Sequence, residues 1–298
     1  MIEDNWFNSA IQLRYTDLDA QGHVNNIVFV EFMQQARVQF MESGPARETL
    51  LDEGTVIVDH KINYFAPISF SSDPLRVDLG ASHIGGAKFE VDYRIIQGNR
   101  LCATARSSLC PFDFYNQRPR RLTGKEKDFL KSWQVNKQNF KKLPLVHLGE
   151  CGHRTLVQPR WSDTDHYGHI NNVRQMDYLM LGRIDMTASA DPTMARLGMS
   201  AARRALQQGE DQDLLWVIAR QDVQYHNQAK YRPQPYEVAT APVAIGEKSV
   251  TLAAELVDPR TGVVISRSQT VLVAVCDDGH AVVFPQAART AMGKRLVS

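Results

Sequence analysis

The sequence predicts an α+β protein of two similar domains, each with an antiparallel sheet and one buried helix. The first observation is a repeat: the segment RYTDLDAQGHVNN, which starts at Arg14, returns as RWSDTDHYGHINN from Arg160. The two copies are identical at seven of their thirteen positions and lie about half of the 298-residue chain apart. A repeat at that distance indicates two copies of one domain. The second observation is that a strand, a helix and several strands follow in the same order in each half.

Each copy begins with an extended stretch, residues 9–15 and 155–161, in which apolar and polar residues alternate. A helix follows the repeated segment, because apolar residues then recur at steps of three and four. Its apolar face is wide, which predicts burial on most sides. The residues of this face are Val24, Ile27, Val28, Phe32, Ala36 and Phe40 in the first copy and Ile170, Val173, Met176, Met180 and Ile184 in the second.

Strand patterns separated by turn residues follow each helix. Consecutive strands joined by short turns form an antiparallel sheet, and the helix is expected to cover one face of it. The second copy carries an insertion at about residues 191–213, ahead of its second strand pattern. The predicted strands are residues 56–58, 61–65, 75–79, 88–96 and 101–109 in the first copy and 215–218, 222–225, 236–240, 249–257 and 263–275 in the second.

The predicted boundaries are residues 1–117 for the first domain, 118–150 for a basic helical linker and 151–298 for the second domain. Thr123 and Glu126 have the spacing of a capping box and open a helix through about Gln134. Basic residues crowd the linker, which is either a solvated helix or a surface for phosphate or an acidic carrier protein. They are Arg118, Arg120, Arg121, Lys125, Lys127, Lys131, Lys137, Lys141 and Lys142.

Composition excludes several classes of partner. The net charge of +1 gives no reason to expect a nucleic acid, and no apolar run reaches membrane-spanning length. The acidic start of the chain differs from a signal peptide, so we expect a cytoplasmic protein. The four cysteines, Cys102, Cys110, Cys151 and Cys276, are widely spaced and are expected to be buried, reduced thiols.

Hydrogen-bonding residues, rather than apolar ones, are preserved in the repeat, which indicates function. Gly22 suits a turn that needs a positive φ. Asn25 or Asn26 lies at the helix start, where its amide can cap free N–H groups. Asp19 lies just ahead of that start, where the helix dipole favours a carboxylate. The corresponding asparagines of the second copy are Asn171 and Asn172.

A carboxylate beside a helix start can catalyse acyl transfer. Asp19 would attack a carbonyl or activate water, and the helix amides would stabilise the oxyanion. His23 could orient the carboxylate, hold water or donate to the leaving group; Asp165 and His169 are the counterparts in the repeat. The alternative is that these side chains only cap a turn and a helix. Two copies that both keep the histidine favour catalysis, because a cap needs no histidine.

The other polar residues of the repeat are given simpler roles. Asp17 and Asp163 are predicted to be structural, pairing with Arg14 and Arg160. Asp and His supply only two ligands per copy, which is too few for a zinc or iron site, so no metal is predicted. The chain also lacks the nucleophile-elbow, P-loop, dinucleotide-binding and zinc-protease motifs.

The residues Tyr15–Asn26 and their repeat resemble the signature of the hotdog-fold thioesterases, which include 4-hydroxybenzoyl-CoA thioesterase and acyl-CoA and acyl-carrier-protein (ACP) thioesterases. Phe65-Ala66-Pro67 resembles a further family pattern. The resemblance covers both halves and implies two hotdog domains in tandem, each a sheet wrapped around a central helix. It implies that Asp19 and Asp165 are the catalytic carboxylates, and that no cofactor is used. It also implies an internal pair of domains with two equivalent clefts; a further homodimer stays open.

Two departures from the family pattern stand out. The plant acyl-ACP thioesterases use an asparagine at the position that Gln21 and Tyr167 occupy here. Many single-domain members carry Glu-Glu-Ala-Arg in the helix, where this chain has QQAR at 34–37 and MLGR at 180–183. Gln35 could still hold a water in a substrate-binding role, whereas Leu181 could not. This asymmetry favours Asp19 as the more active carboxylate.

The sequence is compatible with two functions. The resemblance favours an enzyme that hydrolyses acyl-CoA or acyl-ACP thioesters, with Asp19, His23, Asp165 and His169 as catalytic residues. The substrate-binding residues would be Asn25, Asn26, Gln35, Asn171 and Asn172. The alternative is a non-catalytic acyl-CoA-binding sensor or carrier on the same fold.

Overall fold

The computed structural model describes residues 4–19, 22–143, 146–191, 194, 215–276 and 279–297. The chain divides into two compact units, Met1–Lys142 and Leu143–Ser298. Each unit holds one antiparallel sheet and one long helix. The predicted α+β class and the tandem arrangement are therefore confirmed. No helix among the described residues has the length and apolar character needed to cross a bilayer.

The first unit builds a five-stranded antiparallel sheet beside its long helix, in the order β1-β3-β4-β5-β2. A 3₁₀ turn at Tyr15–Asp17 precedes the helix, and a π-helical turn at Glu48–Asp52 follows it. A two-residue strand also pairs with β5. The elements are β1 (Phe7–Ile11), α1 (Val28–Glu42), β2 (Thr55–Tyr64), β3 (Leu75–Ile84), β4 (Phe89–Gln97), β5 (Arg100–Asp113), β6 (Arg118–Pro119) and α2 (Gly124–Ser132).

The second unit repeats this order of strands, as β7-β9-β10-β11-β8. A 3₁₀ turn at Trp161–Asp163 again precedes the long helix. The predicted insertion at 191–213 lies almost wholly outside the described residues. The elements are β7 (His153–Val157), α3 (Asn172–Ala190), β8 (Leu215–Tyr225), β9 (Tyr236–Ile245), β10 (Ser249–Asp258), β11 (Val263–Val275) and α4 (Gln286–Gly293). Helix α4 was not predicted from the sequence.

Strands β2 and β8 are each continuous where the sequence pattern predicted two strands. The cause is a β-bulge in the middle of each strand. Val58 is the extra residue between the pairs Ile57↔Leu109 and Asp59↔Ser108, and Ala219 is the extra residue of β8. A bulge moves the following side chains to the other face of the strand, so the alternation breaks although the strand does not.

The long helices bury most of their surface, as predicted. Each helix begins a few residues after the first apolar residue of the pattern that predicted it. Val24, Ile27 and Ile170 precede the helices, which corrects the predicted starts. In the second unit, α3 approaches its sheet closely at Gly182. A Cβ there would lie 2.3 Å from Cγ1 of Val238, so only glycine fits without a shift.

The linker helix α2 starts as predicted. Thr123 Oγ1 accepts from the amide of Glu126 at 3.3 Å, and Glu126 Oε2 accepts from the amide of Thr123 at 2.6 Å. The helix ends at Ser132, before the predicted Gln134. Phe129 is buried and its ring centroid lies 4.8 Å from that of Phe40 in α1. One face of α2 is therefore part of the first core.

The cysteines follow the prediction only in part. Cys102 and Cys110 are buried free thiols on β5. Cys151 is exposed and Cys276 is half-buried, which corrects the expectation of four buried thiols. Cys151 lies in the irregular segment just before β7.

Candidate functional site

The repeated segment forms the same loop in both units, and its first aspartate holds the loop together. The buried carboxylate of Asp17 accepts from the backbone amide of Arg14 at 2.7 Å, and its carbonyl accepts from the amide of Asn25 at 2.9 Å. Asp163 makes the same two bonds, to the amides of Arg160 and Asn171. The predicted pairing with arginine therefore runs through the arginine's main chain.

The second aspartate closes a tight turn. The amide of Asp19 donates to the carbonyl of His23 at 2.7 Å, and the amide of Gly22 donates back to the carbonyl of Asp19 at 3.0 Å. Gly22 has φ +79°, as predicted for a turn that favours glycine. The amide of His23 donates to Oδ1 of Asp19 at 3.2 Å. The turn thereby fixes the half-buried carboxylate through its own backbone.

The second unit repeats this turn. Gly168 has φ +75°, and the amide of Asp165 donates to the carbonyl of His169 at 2.8 Å. Oδ1 of Asp165 accepts from two amides, that of Tyr167 at 2.9 Å and that of His169 at 3.1 Å. Asp165 is half-buried. Two donors on one oxygen leave the carboxylate little freedom to rotate.

The loop after β2 holds the histidine end of this turn. The amide of Val24 donates to the carbonyl of Ile68 at 2.8 Å, and His23 bridges Ser69. That loop is itself held by a second bulge, because the carbonyl of Cys102 accepts from the two amides that follow β2. In the second unit the corresponding carbonyl is that of Ile265. Strand register thus positions both histidines.

The two asparagines differ in their role. Asn171 caps its helix, as its position predicted, whereas Asn25 stabilises the turn ahead of α1, whose N-cap is Ile27. Oδ1 of Asn25 accepts from the amide of Ile27 at 3.1 Å, ahead of α1. Asn171 is the N-cap of α3, and its Oδ1 accepts from the amide of Val173 at 2.9 Å. These bonds place the positive end of each helix dipole directly after the aspartate turn.

A tyrosine that the sequence analysis did not single out supports each helix start from the sheet. The hydroxyl of Tyr64 on β2 donates to the carbonyl of Asn26 at 3.2 Å, and that of Tyr225 on β8 donates to the carbonyl of Asn172 at 3.2 Å. The sequence carries a signal for this pair, since tyrosine ends both KINY at residues 61–64 and DVQY at residues 222–225.

Gln35 lies on the exposed side of α1. Among the hydrogen bonds described for residues 4–143, none joins Gln35 to Asp19 or His23. Those bonds do bring Asp19, His23 and Asn25 together in one loop. Among the described residues, no three His, Cys, Asp or Glu side chains are grouped closely enough to hold a metal ion.

The second unit adds a buried polar network beneath its turn. The hydroxyl of Tyr178 donates to Oδ2 of Asp163 at 2.5 Å. Burial and this hydrogen bond raise the pKa of Tyr178. Burial also raises the pKa of Asp177, which lies beside Arg174 at 2.9 Å. Phe32 occupies the position of Tyr178 in the first unit, so the two sites differ below the loop.

Comparisons with known proteins agree with this geometry. A family model described as the thioesterase-like superfamily matches residues 13–133 and again residues 159–292. The acyl-CoA thioesterase YbgC of Haemophilus influenzae is 24% identical over 120 residues, which make up 39% of this chain and 88% of that protein.

Two solved structures resemble the chain over most of its length, each with a TM-score of 0.68 and 13% identity. The match to a putative oleoyl thioesterase from Lactobacillus plantarum covers 91% of this chain and 96% of that protein's chain. The match to the 12:0-ACP thioesterase from Umbellularia californica covers 92% of this chain and 100% of that protein's chain. At this identity the likeness shows the fold.

Proposed function

This chain belongs to the thioesterase-like superfamily, and from that premise we propose that it hydrolyses acyl thioesters with the carboxylates of Asp19 and Asp165. The predicted family, the tandem hotdog fold and the enzyme class, a thioester hydrolase, are confirmed. The mechanism and the substrate are proposals. The observation that supports them is an aspartate turn, fixed by its own amides, directly ahead of the long helix in both units.

The arrangement suits a carboxylate that acts on a carbonyl carbon or on water. Oδ1 of Asp165 is occupied by two amides, and no residue that the structure describes is hydrogen-bonded to its Oδ2. Oδ2 would then attack the thioester carbon or take a proton from the attacking water. Asp19 would act in the same way in the first unit.

The helix starts would stabilise the oxyanion. Oδ1 of Asn25 accepts from the amide of Ile27, just ahead of α1, and Oδ1 of Asn171 accepts from the amide of Val173. The first-turn amides that have no partner within the helix would donate to the carbonyl oxygen, with the helix dipole behind them. When the tetrahedral intermediate collapses, the carbon–sulfur bond breaks and the thiolate takes a proton. His23 and His169, at the end of each turn, are proposed to orient water or supply that proton.

The substrate is proposed to be an acyl-CoA or an acyl-ACP thioester. YbgC is named as an acyl-CoA thioesterase and the Umbellularia protein as a 12:0-ACP thioesterase, so both carriers occur among the proteins that this chain resembles. Single-turnover hydrolysis in ¹⁸O-water separates the two roles of the carboxylate. Label in an aspartate side chain indicates a nucleophile, whereas label in the acid product alone shows that water attacked the acyl carbon, as a general base requires.

The central experiment replaces Asp19, Asp165 and both together by asparagine. Asparagine keeps an oxygen that can accept from the turn amides, so the loop is expected to fold. We expect the double variant to lose about 10²–10⁴-fold in kcat. Asp73→Asn, an exposed carboxylate between β2 and β3, is the matched control. Because Cys151 is exposed, free CoA is measured by chromatography instead of with a thiol reagent.

Two outcomes would overturn the proposal. Full activity in the folded double variant would show that the aspartates do not act on the substrate. Saturable binding of acyl-CoA by the wild type, without release of CoA from short, long or aromatic acyl groups, would favour the sensor or carrier instead.

A further inference from the structure

The two units differ in the layer between helix and sheet, directly below the helix start. In the second unit, Gln175 lies in the first turn of α3 and is 5% exposed. Its Nε2 donates to the carbonyl of Ile170 at 3.3 Å. Its Oε1 is buried and has no hydrogen-bond partner among the described residues. Exchanging the two atoms would set Oε1 against a carbonyl oxygen, so the amide orientation is determined.

The sheet of the same unit carries a second unpartnered polar atom. Ser266 on β11 is fully buried, and its Oγ has no hydrogen-bond partner among the residues that the structure describes. Ser266 pairs directly with Tyr225 across the sheet. The hydroxyl of Tyr225 contacts the carbonyl of Asn172, three residues before Gln175 on the same helix face. Gln175 and Ser266 are therefore linked to the same tyrosine, one through the helix face that Tyr225 contacts and the other through the strand pairing.

The first unit is apolar at both positions. Phe29 stands where the repeat has Gln175, and its ring packs edge-on against Tyr64 with centroids 5.1 Å apart. Ala103 is the direct cross-strand neighbour of Tyr64, as Ser266 is of Tyr225. Phe29 and Ala103 are both buried. The fold that the two units share therefore does not require a polar side chain at either of these two positions.

We propose that Gln175 and Ser266 are specificity-determining residues, which select an acyl group with a hydroxyl close to its thioester carbonyl. One hydroxyl can donate to Oε1 of Gln175 and accept from Oγ of Ser266, which completes both groups. Gln175 is about 4.5 Å of helix rise from the first residue of α3, where the carbonyl oxygen would bind. By contrast, Phe29 and Ala103 give the first unit a preference for plain hydrocarbon acyl groups.

This inference rests on the proposed function, and the experiment separates the two. 3-Hydroxybutyryl-CoA and butyryl-CoA differ by one hydroxyl. We expect the Asp19→Asn variant, in which only the second unit is active, to prefer the hydroxylated substrate in kcat/KM by about tenfold or more over the Asp165→Asn variant. Gln175→Met and Ser266→Ala, made in the Asp19→Asn chain, are expected to remove that preference. Phe29→Met is the matched control in the first unit, and it leaves the preference of the second unit in place.

Binding gives a readout that does not need turnover. In the Asp19→Asn/Asp165→Asn chain, calorimetry is expected to show tighter binding of 3-hydroxybutyryl-CoA, and Gln175→Met is expected to abolish the difference. Because Gln175→Met removes an unpartnered buried oxygen, the melting temperature of this variant should stay the same or rise. Equal binding of both ligands, or equal preference in the two single-site variants, overturns the inference and indicates that only water fills the position. Loss of turnover with the binding difference intact overturns the proposed function alone.

Discussion

His60 on β2 is a buried histidine whose titration should govern the acid stability of the first unit. It is 1% exposed, and its Nδ1 lies 2.9 Å from Oγ of Ser107. Burial, and secondarily the charge of Arg37, lower the pKa of His60 from 6.5 to about 3. Arg37 is buried as well and donates to the hydroxyl of Tyr93 at 3.0 Å. The fold therefore holds His60 in its neutral form.

The direction of the pH effect follows from where the proton binds. Below pH 6.5 the unfolded chain protonates this histidine, whereas the folded chain does so only near pH 3. Stability is therefore fully present above the unfolded pKa and falls as the pH drops through this window. Each pH unit is worth about 1.4 kcal/mol, so acidification from about pH 7.5 to about pH 5 should cost about 2 kcal/mol from His60 alone.

The perturbation is His60→Gln. The repeat shows that glutamine fits this position, because Gln221 pairs with Thr270 on β8 and β11 as His60 pairs with Ser107. Urea denaturation at both pH values measures the free energy of unfolding. The stability of the variant relative to wild type should rise by about 2 kcal/mol at the lower pH, because all other groups titrate in both chains.

A control replaces His83, which is exposed at the end of β3, by glutamine. This variant should keep the acid sensitivity of the wild type. If His60→Gln loses as much stability on acidification as the wild type, the neutral buried histidine is not the proton-sensitive group, and the reasoning is refuted.

Two further changes test the second unit. Tyr178→Phe should lower the free energy of unfolding by about 1.5–3 kcal/mol, since it removes the hydrogen bond to Asp163; a loss below about 0.5 kcal/mol in urea denaturation would contradict this role. Gly168→Ala should cost about 1–2 kcal/mol through its positive φ alone, because a Cβ there meets nothing within 4 Å. Its thermal unfolding is compared with that of Gly293→Ala, where φ is not positive, and equal costs would show that the turn is not strained.

Much of the site could be predicted because its signals are local. The positive φ of Gly22, the cap by Asn171 and the structural role of Asp17 follow from the preferences of single residues in turns and at helix starts. The helix start was placed too early. Val24 is apolar and in phase with the helix, but it pairs with Leu18 in a short bridge, and periodicity does not distinguish these two uses of a buried valine.

The contacts that position the site could not be predicted because they join distant strands. The carbonyl of Cys102 holds the loop after β2 only because a bulge leaves it unpaired with β4. The bulges at Val58 and Ala219 likewise interrupted the strand pattern without ending the strands. A one-residue offset between paired strands has no local sequence signature.

The sequence by itself determined that the chain is two copies of one α+β domain and that a polar Asp–His–Asn loop precedes each long helix. Those features depend on the spacing of residues along the chain, which can be read from the sequence without knowing which residues pack together. Only the tertiary structure decided which distant atoms meet: the amide of Val24 with the carbonyl of Ile68, and Tyr225 with both Asn172 and Ser266. Such neighbours are set by strand register and helix placement, which arise when residues far apart in the chain pack together.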